Sequence, residues 1–109
     1  MPQFLIVLRD ADWNPEALSA EEIQEIMRRY REWVDRVAGK GHKLRDGEGR
    51  VMLRGEKGIT VTDGPYAEAK EVLGGYLVIE AQDYDDALRQ CDGSPHLEFG
   101  SIEIRAIES

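Results

Sequence analysis

The residues best placed to do chemistry lie between two predicted strands, in residues 63–71. The polar and charged side chains of this segment are Asp63, Tyr66, Glu68, Lys70 and Glu71. A turn is predicted at Asp63-Gly64-Pro65, because a turn aspartate bonds backbone N–H groups two residues on and a proline ends regular strand pairing. Polar side chains gathered between two strands are a frequent way for a fold to present a site. We therefore predict that a small polar molecule binds in a cleft near this segment; in the alternative interpretation, Asp63 only shapes a hairpin connection.

The second residue with suitable chemistry is His42, which directly follows a predicted helix. A histidine titrates near neutral pH, and a nearby carboxylate can fix its tautomer. Asp63 and His42 are therefore the predicted acid and base of an enzyme that acts on a small organic substrate. In the plainer interpretation, His42 interacts with the exposed carbonyl groups at the helix end.

The predicted ligand-binding residues are Tyr66, Glu68, Lys70, Glu71, Glu103 and Arg105. Lys70 either lowers the pKa of Asp63 or is a solvated partner. Glu103 and Arg105 lie on the last predicted strand, on the side away from the core, where they form a salt bridge or line the pocket. A third hypothesis gives the domain no pocket chemistry and makes it a structural dimer partner for another protein.

Other classes of site find little support in the sequence. The nitrogen and sulfur ligands available to a metal are His42, His96 and Cys91, and none of them forms a short-spaced pair of the structural-zinc type. Cys91 falls on the apolar face of a predicted helix and is predicted to be a core residue. Ser94 lies two residues from His96, a spacing that does not predict a catalytic dyad. No glycine-rich phosphate loop is present, so we expect neither a metal nor a cofactor.

Length and charge restrict the function further. The chain has 109 residues, which predicts a single domain over residues 1–109. Its net charge of −8 argues against nucleic-acid binding, which normally needs a basic patch. The basic cluster Arg28, Arg29 and Arg31 is interleaved with glutamates at helical spacing. One cysteine, no apolar run long enough to cross a membrane, and no leader pattern together predict a cytoplasmic protein.

Hydrophobic periodicity predicts the order β-α-β-β-β-α-β. The strands are predicted at residues 3–9, 51–53, 59–62, 73–80 and 99–107, and the helices at residues 19–38 and 83–91. The first helix begins with a capping box, Ser19 and Glu22, and is predicted to end where Gly39 or Gly41 takes the left-handed conformation. Its predicted core stripe is Ile23, Met27, Tyr30, Val34 and Val37, flanked by Ile26 and Trp33.

Three further features bear on packing. Gly74-Gly75 inside a strand pattern predicts a bulge, a sharp bend or the close approach of another backbone. Trp13, in a polar loop, is predicted to plug the core rather than to cover a site. Two helices can cover one face of one antiparallel sheet, so the other face must be either hidden or polar. An apolar second face, indicated by Leu73, Tyr76, Val78, Phe4, Ile6 and Leu8, predicts that a second copy packs sheet to sheet.

The sequence also resembles a known family. Residues 62–71, Thr-Asp-Gly-Pro-Tyr-Ala-Glu-Ala-Lys-Glu, and the later Leu73-Gly-Gly-Tyr resemble the signature of the DGPF-domain branch of the YCII-related family. The start, residues 4–8, and the closing Gly100-Ser-Ile-Glu-Ile-Arg are similar as well, although Tyr66 replaces the usual Phe and Ala106 the usual Pro. The resemblance implies a ferredoxin-like α+β fold whose homodimer forms an α/β barrel. It also implies a His–Asp pair in a cleft, since members of the wider family are thought to carry one.

Overall fold

The protein is an α+β domain in which four consecutive strands separate two α-helices. In the computed structural model, residues 1–64 and 72–108 are described. The strands of this part are β1 (Gln3–Asp10), β2 (Lys40–Lys43), β3 (Arg50–Gly55), β4 (Gly58–Asp63), β5 (Val72–Glu80) and β6 (Gly100–Ala106). The helices are α1 (Ala20–Arg36) and α2 (Tyr84–Asp92), with short 3₁₀ helices at Pro15–Ala17 and Pro95–Glu98. The predicted class, α+β with two helices, is confirmed.

Four strands form one open antiparallel sheet with the order β2-β5-β1-β6. Both helices pack against the same face of it, because one buried cluster joins them to β1 and β5. The members of that cluster are Phe4, Ile6, Trp33, Val37, Leu77, Ile79, Ala81, Ala87 and Cys91. Alternate residues of the central strands therefore supply the core, as the two-residue period of a strand requires.

The helix termini follow from local sequence. Ser19 accepts a hydrogen bond from the Glu22 N–H while the Glu22 side chain accepts one from the Ser19 N–H, so the predicted capping box is confirmed. Asp83 caps α2 by accepting from the Asp86 N–H. The prediction that a glycine ends α1 in the left-handed conformation is wrong, because that conformation belongs to Ala38, with a φ of 52°.

The core stripe of α1 is rotated from the predicted one. Ile26, Trp33 and Val37 are buried, and Trp33, predicted only to flank the stripe, is among the most deeply buried side chains. Its indole N–H donates to the Gln90 carbonyl of α2 at 2.9 Å, which ties the two helices together. Met27 and Tyr30, predicted as core residues, are only partly buried. They line a cavity instead.

Strand β2, at residues 40–43, was not predicted from the sequence. Its four residues, Lys-Gly-His-Lys, carry no apolar side chain, and they pair with β5 from Lys40↔Val78 to Lys43↔Gly75. Gly41 fits this pairing because a Cβ there would lie 1.9 Å from the Tyr76 carbonyl oxygen. The strand is therefore set by its neighbour and not by its own pattern.

The sheet face away from the helices, which we call the outer sheet face, carries both apolar and polar side chains. Antiparallel partners share a face, and the pairs Leu5↔Val78 and Val7↔Tyr76 place four apolar side chains at its centre. These side chains are partly buried. Phe4, Ile6 and Leu8, three of the residues that indicated an apolar second face, are on the helix side instead. That part of the prediction is wrong, because the run of residues 4–8 alternates between both faces.

Strands β3 and β4 form a separate two-stranded sheet with a tight turn between Gly55 and Gly58, as predicted. We call residues 50–63 the arm. The two ends of the arm meet where the Gly64 N–H donates to the Gly49 carbonyl at 2.7 Å. Within the described residues, no helix is both long and apolar enough to cross a membrane.

Candidate functional site

A cavity of about 190 Å³ lies between α1 and the sheet, close to the last residue of β1. Residues 41–43 of β2 and 74–77 of β5 form its sheet side. Its other walls are mainly apolar and aromatic, and are lined by Leu8, Trp13, Met27, Tyr30, Val34 and Phe99. Asp10 and His96 add polar groups to this lining. An apolar cavity with a few convergent polar groups is the usual form of a small-molecule site.

His96 is held rigidly at one side of this cavity. It is 2% exposed and lies in the 3₁₀ helix Pro95–Glu98, which Ser94 caps by accepting a hydrogen bond from the His96 N–H. Its Nε2 lies 2.7 Å from the Arg9 carbonyl oxygen, and its Nδ1 lies 2.8 Å from the Tyr30 hydroxyl. Because a carbonyl oxygen only accepts, Nε2 carries a proton, and in the neutral ring Nδ1 accepts from Tyr30.

Asp10 enters the cavity at the end of β1. A β-bulge interrupts the pairing there: Leu8 faces Gly75 and Arg9 faces Leu73, so Gly74 is the extra residue. The bulge, one of three predicted alternatives, is confirmed. The Asp10 carboxylate lies directly over Gly74, since a Cβ on that glycine would be 2.2 to 2.4 Å from the carboxylate atoms. The glycine therefore makes room for the carboxylate.

The surroundings of Asp10 act on its ionisation. Burial raises the pKa of Asp10, and the charges of His96 and Lys43 oppose that rise only in part. Its Oδ1 lies 3.9 Å from the His96 Nε2. Burial also raises the pKa of Tyr30, so that hydroxyl keeps its proton at neutral pH. The arrangement supplies one carboxyl group whose proton affinity is increased, beside a histidine and a tyrosine joined by a hydrogen bond.

Trp13 stands between this cavity and an adjoining open hollow of about 530 Å³, and it lines both. Its ring packs edge-on against Phe99, with centroids 5.5 Å apart, and its indole N–H donates to Asp46 Oδ2 at 3.3 Å. The prediction that Trp13 plugs the core is wrong, because the main cluster forms without it and its side chain is only partly buried. Asp10 lines both spaces as well and marks their junction.

Asp63 and His42, the predicted acid and base, lie in different sheets. Asp63 ends β4 in the arm, where its side chain is 91% exposed and pairs with Arg50 at 3.2 Å. His42 lies in β2, opposite Tyr76, and the two rings approach to 6.1 Å. Since Tyr76 is on the sheet face away from the helices, so is the His42 ring. His42 is nevertheless among the residues that line the cavity.

The remaining predicted ligand residues divide into two groups. Tyr66, Glu68, Lys70 and Glu71 lie outside the described residues. Glu103 and Arg105 lie on β6, where Glu103 accepts from Arg9 at 3.2 Å and from Arg105 at 3.4 Å. These hydrogen bonds, with that of Arg9 first, lower the pKa of Glu103. Of the two alternatives for this pair, the structure supports the salt bridge.

Metal and nucleophile chemistry can be considered from the same geometry. In the part of the chain that the structure describes, no group of three or more His, Cys, Asp or Glu side chains is placed to hold a metal ion. Cys91 is buried, and burial raises its pKa to about 11, so its thiol is protonated at neutral pH. Its prediction as a core residue is confirmed.

Sequence reasoning missed Asp10, Tyr30 and His96 as a group. The signal for Asp10 was its position, because it follows an apolar strand at the same parity as Phe4, Ile6 and Leu8 and so faces the helices. No local pattern connects it with His96, which is brought near by the pairing of β1 with β6.

The comparison with known proteins gives the family of the chain. A search of curated proteins found no match. The model of the YCII-related domain matches residues 4–109. This match covers nearly the whole chain, and the protein therefore belongs to the YCII-related domain family.

Proposed function

We propose that the cavity between α1 and the sheet binds a small organic molecule with an apolar body and one group that hydrogen-bonds to Asp10. The observation that carries this proposal is a carboxylate held in a cavity walled mainly by apolar and aromatic side chains. A partly buried carboxylate is costly unless a function or a partner compensates for it. The cavity volume of about 190 Å³ equals that of roughly six water molecules in the liquid, which suits a small molecule.

The proposal moves the polar end of the site from Asp63 to Asp10. Asp63 is exposed in the arm, whereas Asp10 is partly buried, with a side chain 23% exposed. Residues 63–71 remain a proposed part of the site, because they precede Val72, which pairs with Asp10. His42 remains a proposed participant as one of the residues that line the cavity, with its ring on the opposite sheet face.

A ligand screen tests the proposal directly. Metabolite-like fragments are screened by thermal shift, and hits are confirmed by NMR titration on the wild type, Asp10→Asn, Asp63→Asn and the neighbouring exposed control Asp12→Asn. Asp10→Asn should weaken binding of the hits at least tenfold, the expected cost of losing a hydrogen bond to a charged group. Asp12→Asn should leave binding unchanged. If hits bind Asp10→Asn as tightly as the wild type but lose affinity for Asp63→Asn, the site lies at residues 63–71 and the proposal is wrong.

A second candidate function is acid–base catalysis in the same cavity, with Asp10 as the group that takes a proton from the substrate. The raised pKa of Asp10 favours this candidate, because a general base works best when its pKa approaches the working pH. His96 would then lie beside the carboxylate, with its Nε2 3.9 Å from Asp10 Oδ1, and Tyr30 would keep the His96 ring in place through Nδ1. Incubation of confirmed ligands with the protein, followed by NMR of the ligand over time, decides between the two. Turnover that Asp10→Asn abolishes supports an enzyme, and unchanged ligands support a binding domain.

We further propose the finer features that the family resemblance implies. The strand order β2-β5-β1-β6, with both helices on one face, supports a ferredoxin-like arrangement, and the Asp63-Gly64-Pro65-Tyr66 motif supports the DGPF branch. The apolar centre of the outer sheet face supports a homodimer that pairs these faces into an α/β barrel. The acidic net charge supports a partner other than nucleic acid, and the lone buried cysteine supports a cytoplasmic location. Light scattering should then give about twice 12.3 kDa, and a mass near 12.3 kDa would contradict the dimer.

A further inference from the structure

The arm is the part of the described chain that lacks a packing partner. Neither β3 nor β4 packs substantially against another described strand or helix. The radius of gyration is 15.9 Å, whereas a compact domain of about 100 residues has about 13 Å. The arm therefore projects from the body, which here means the four-stranded sheet with its helices.

The arm also exposes apolar side chains that a lone hairpin does not bury. Met52, Leu53, Ile59 and Val61 are each 50% to 65% exposed. The pairs Met52↔Val61 and Arg54↔Ile59 place three of these apolar residues on one face, beside Arg54. An isolated two-stranded hairpin is marginally stable in water at best. Met and Arg are also residue types that protein interfaces favour.

The charge of the arm identifies what it fits. Of the 14 Lys and Arg residues, three lie in the arm, and of the 22 Asp and Glu residues, two do. The arm thus carries a net charge of +1 and the rest of the chain −9. The body of another copy therefore has the opposite charge to the arm, and it also offers a protein surface for Met52 and Val61. An anionic polymer would match the charge alone.

We infer that the arm of each copy clasps the body of a second copy, with the face of Met52, Ile59 and Val61 buried in the contact. The inference rests on the proposed homodimer and adds to it a second contact besides the outer sheet face. The ionic part comes from Arg54, which shares the face of Met52 and Ile59, against the acidic body. The apolar part covers side chains that are exposed in a single copy.

Sedimentation velocity over a concentration series tests the clasp with variants of the full chain. Met52→Ser combined with Val61→Ser removes the apolar face, and Thr60→Ser combined with Thr62→Ser is the matched control on the opposite face. The first pair should raise the dimer dissociation constant at least tenfold, since each substitution acts twice in a symmetric dimer. The control pair should leave it within about twofold of the wild type. Neither pair should unfold the body, which the arm does not support.

A third variant, Val7→Asp on the outer sheet face, separates the clasp from the sheet contact. If Val7→Asp dissociates the dimer and the arm variant does not, the clasp is wrong and the sheet-to-sheet dimer stands. If the arm variant dissociates the dimer and Val7→Asp does not, the clasp stands and the sheet contact is wrong. A wild type that is monomeric at all concentrations overturns both.

Amide hydrogen exchange gives an independent measurement. The ladder N–H groups of β3 and β4 should be protected at concentrations where the dimer forms and should exchange quickly after dilution to the monomer. Protection of β1 and β5 should change little. Rapid exchange of the arm in the intact dimer would overturn the inference.

Discussion

Replacement of Gly74 by alanine should disturb the site through one identifiable contact. The added Cβ would lie 2.2 Å from Oδ2, 2.4 Å from Cγ and 2.4 Å from Oδ1 of Asp10, whereas real Cβ contacts essentially never fall below 3.0 Å. All three of these nearest atoms belong to the Asp10 side chain. The φ of Gly74 is not among the positive values, so alanine itself fits the backbone. Either the carboxylate leaves its position or the bulge shifts.

The expected cost follows from these contacts. Overpacking a close-packed position costs about 1 to 3 kcal/mol of unfolding free energy, and the low end of this range applies because the clashing atoms are the end of a side chain that can turn aside. In an Asp10→Ala background, the three clashing atoms are gone, and alanine should gain about 0.5 to 1 kcal/mol over glycine in a strand. Gly74→Ala should therefore be destabilising in the wild type and neutral or stabilising beside Asp10→Ala. The coupling energy between the two sites should be at least about 1 kcal/mol.

Urea unfolding at a fixed protein concentration, followed by the fluorescence of Trp13 and Trp33, measures this cycle. Gly41→Ala is the matched control, because its Cβ would lie 1.9 Å from the backbone oxygen of Tyr76. That clash does not depend on Asp10, so Gly41→Ala should cost the same in both backgrounds. An equal cost of Gly74→Ala with and without the Asp10 side chain would refute the reasoning.

Three more predictions concern ionisable groups. Burial raises the pKa of Asp10 in the folded state, so its charged carboxylate lowers the stability of the protein at neutral pH. Asp10→Asn should therefore raise the unfolding free energy at neutral pH, and this gain should vanish as the pH falls below the ordinary aspartate pKa of 3.8. Urea titrations at several pH values measure both effects. Tyr30→Phe leaves the His96 Nδ1 without its donor and should cost about 1 to 3 kcal/mol of unfolding free energy. This cost should exceed that of Tyr84→Phe, because Tyr84 is about half exposed, and equal costs in urea unfolding would contradict the prediction. Cys91, with its pKa raised to about 11, should resist a thiol reagent in the native protein and react in urea; rapid native labelling would show the thiol to be accessible.

The elements with strong local signals were predictable from the sequence. Ser19 with Glu22 marks the start of α1 because the two side chains satisfy amides that the helix leaves free. The turn between Gly55 and Gly58 could also be predicted, and the bulge at Gly74 was one of three alternatives that the glycine pair left open.

The elements determined by distant contacts were not predictable. Strand β2 lacks apolar residues, and its conformation depends on pairing with β5 more than 30 residues later. Whether Trp33 or Met27 enters the core depends on how α1 is rotated about its axis over the sheet. The sequence does not determine this rotation, because apolar residues occur both in the predicted stripe and beside it.

The candidate site shows the same division. The motif at residues 63–71 drew attention to Asp63, which lies exposed in the arm. The cavity instead joins Asp10 to His96, whose Nε2 bonds a carbonyl 87 positions away in the chain. Contacts of that range follow from strand pairing and from the 3₁₀ helix Pro95–Glu98, and neither residue carries a local pattern that indicates the other.

The hydrogen bond between the Gly64 N–H and the Gly49 carbonyl closes the base of the arm, which leaves the arm free to change in length. Because the strands leave and return at neighbouring points, insertions and deletions between Gly49 and Gly64 need not alter the spacing of β2 and β5. A change of arm length would therefore alter the proposed contact between copies and leave the cavity between α1 and the sheet the same. The same junction is where an engineer would graft a reporter.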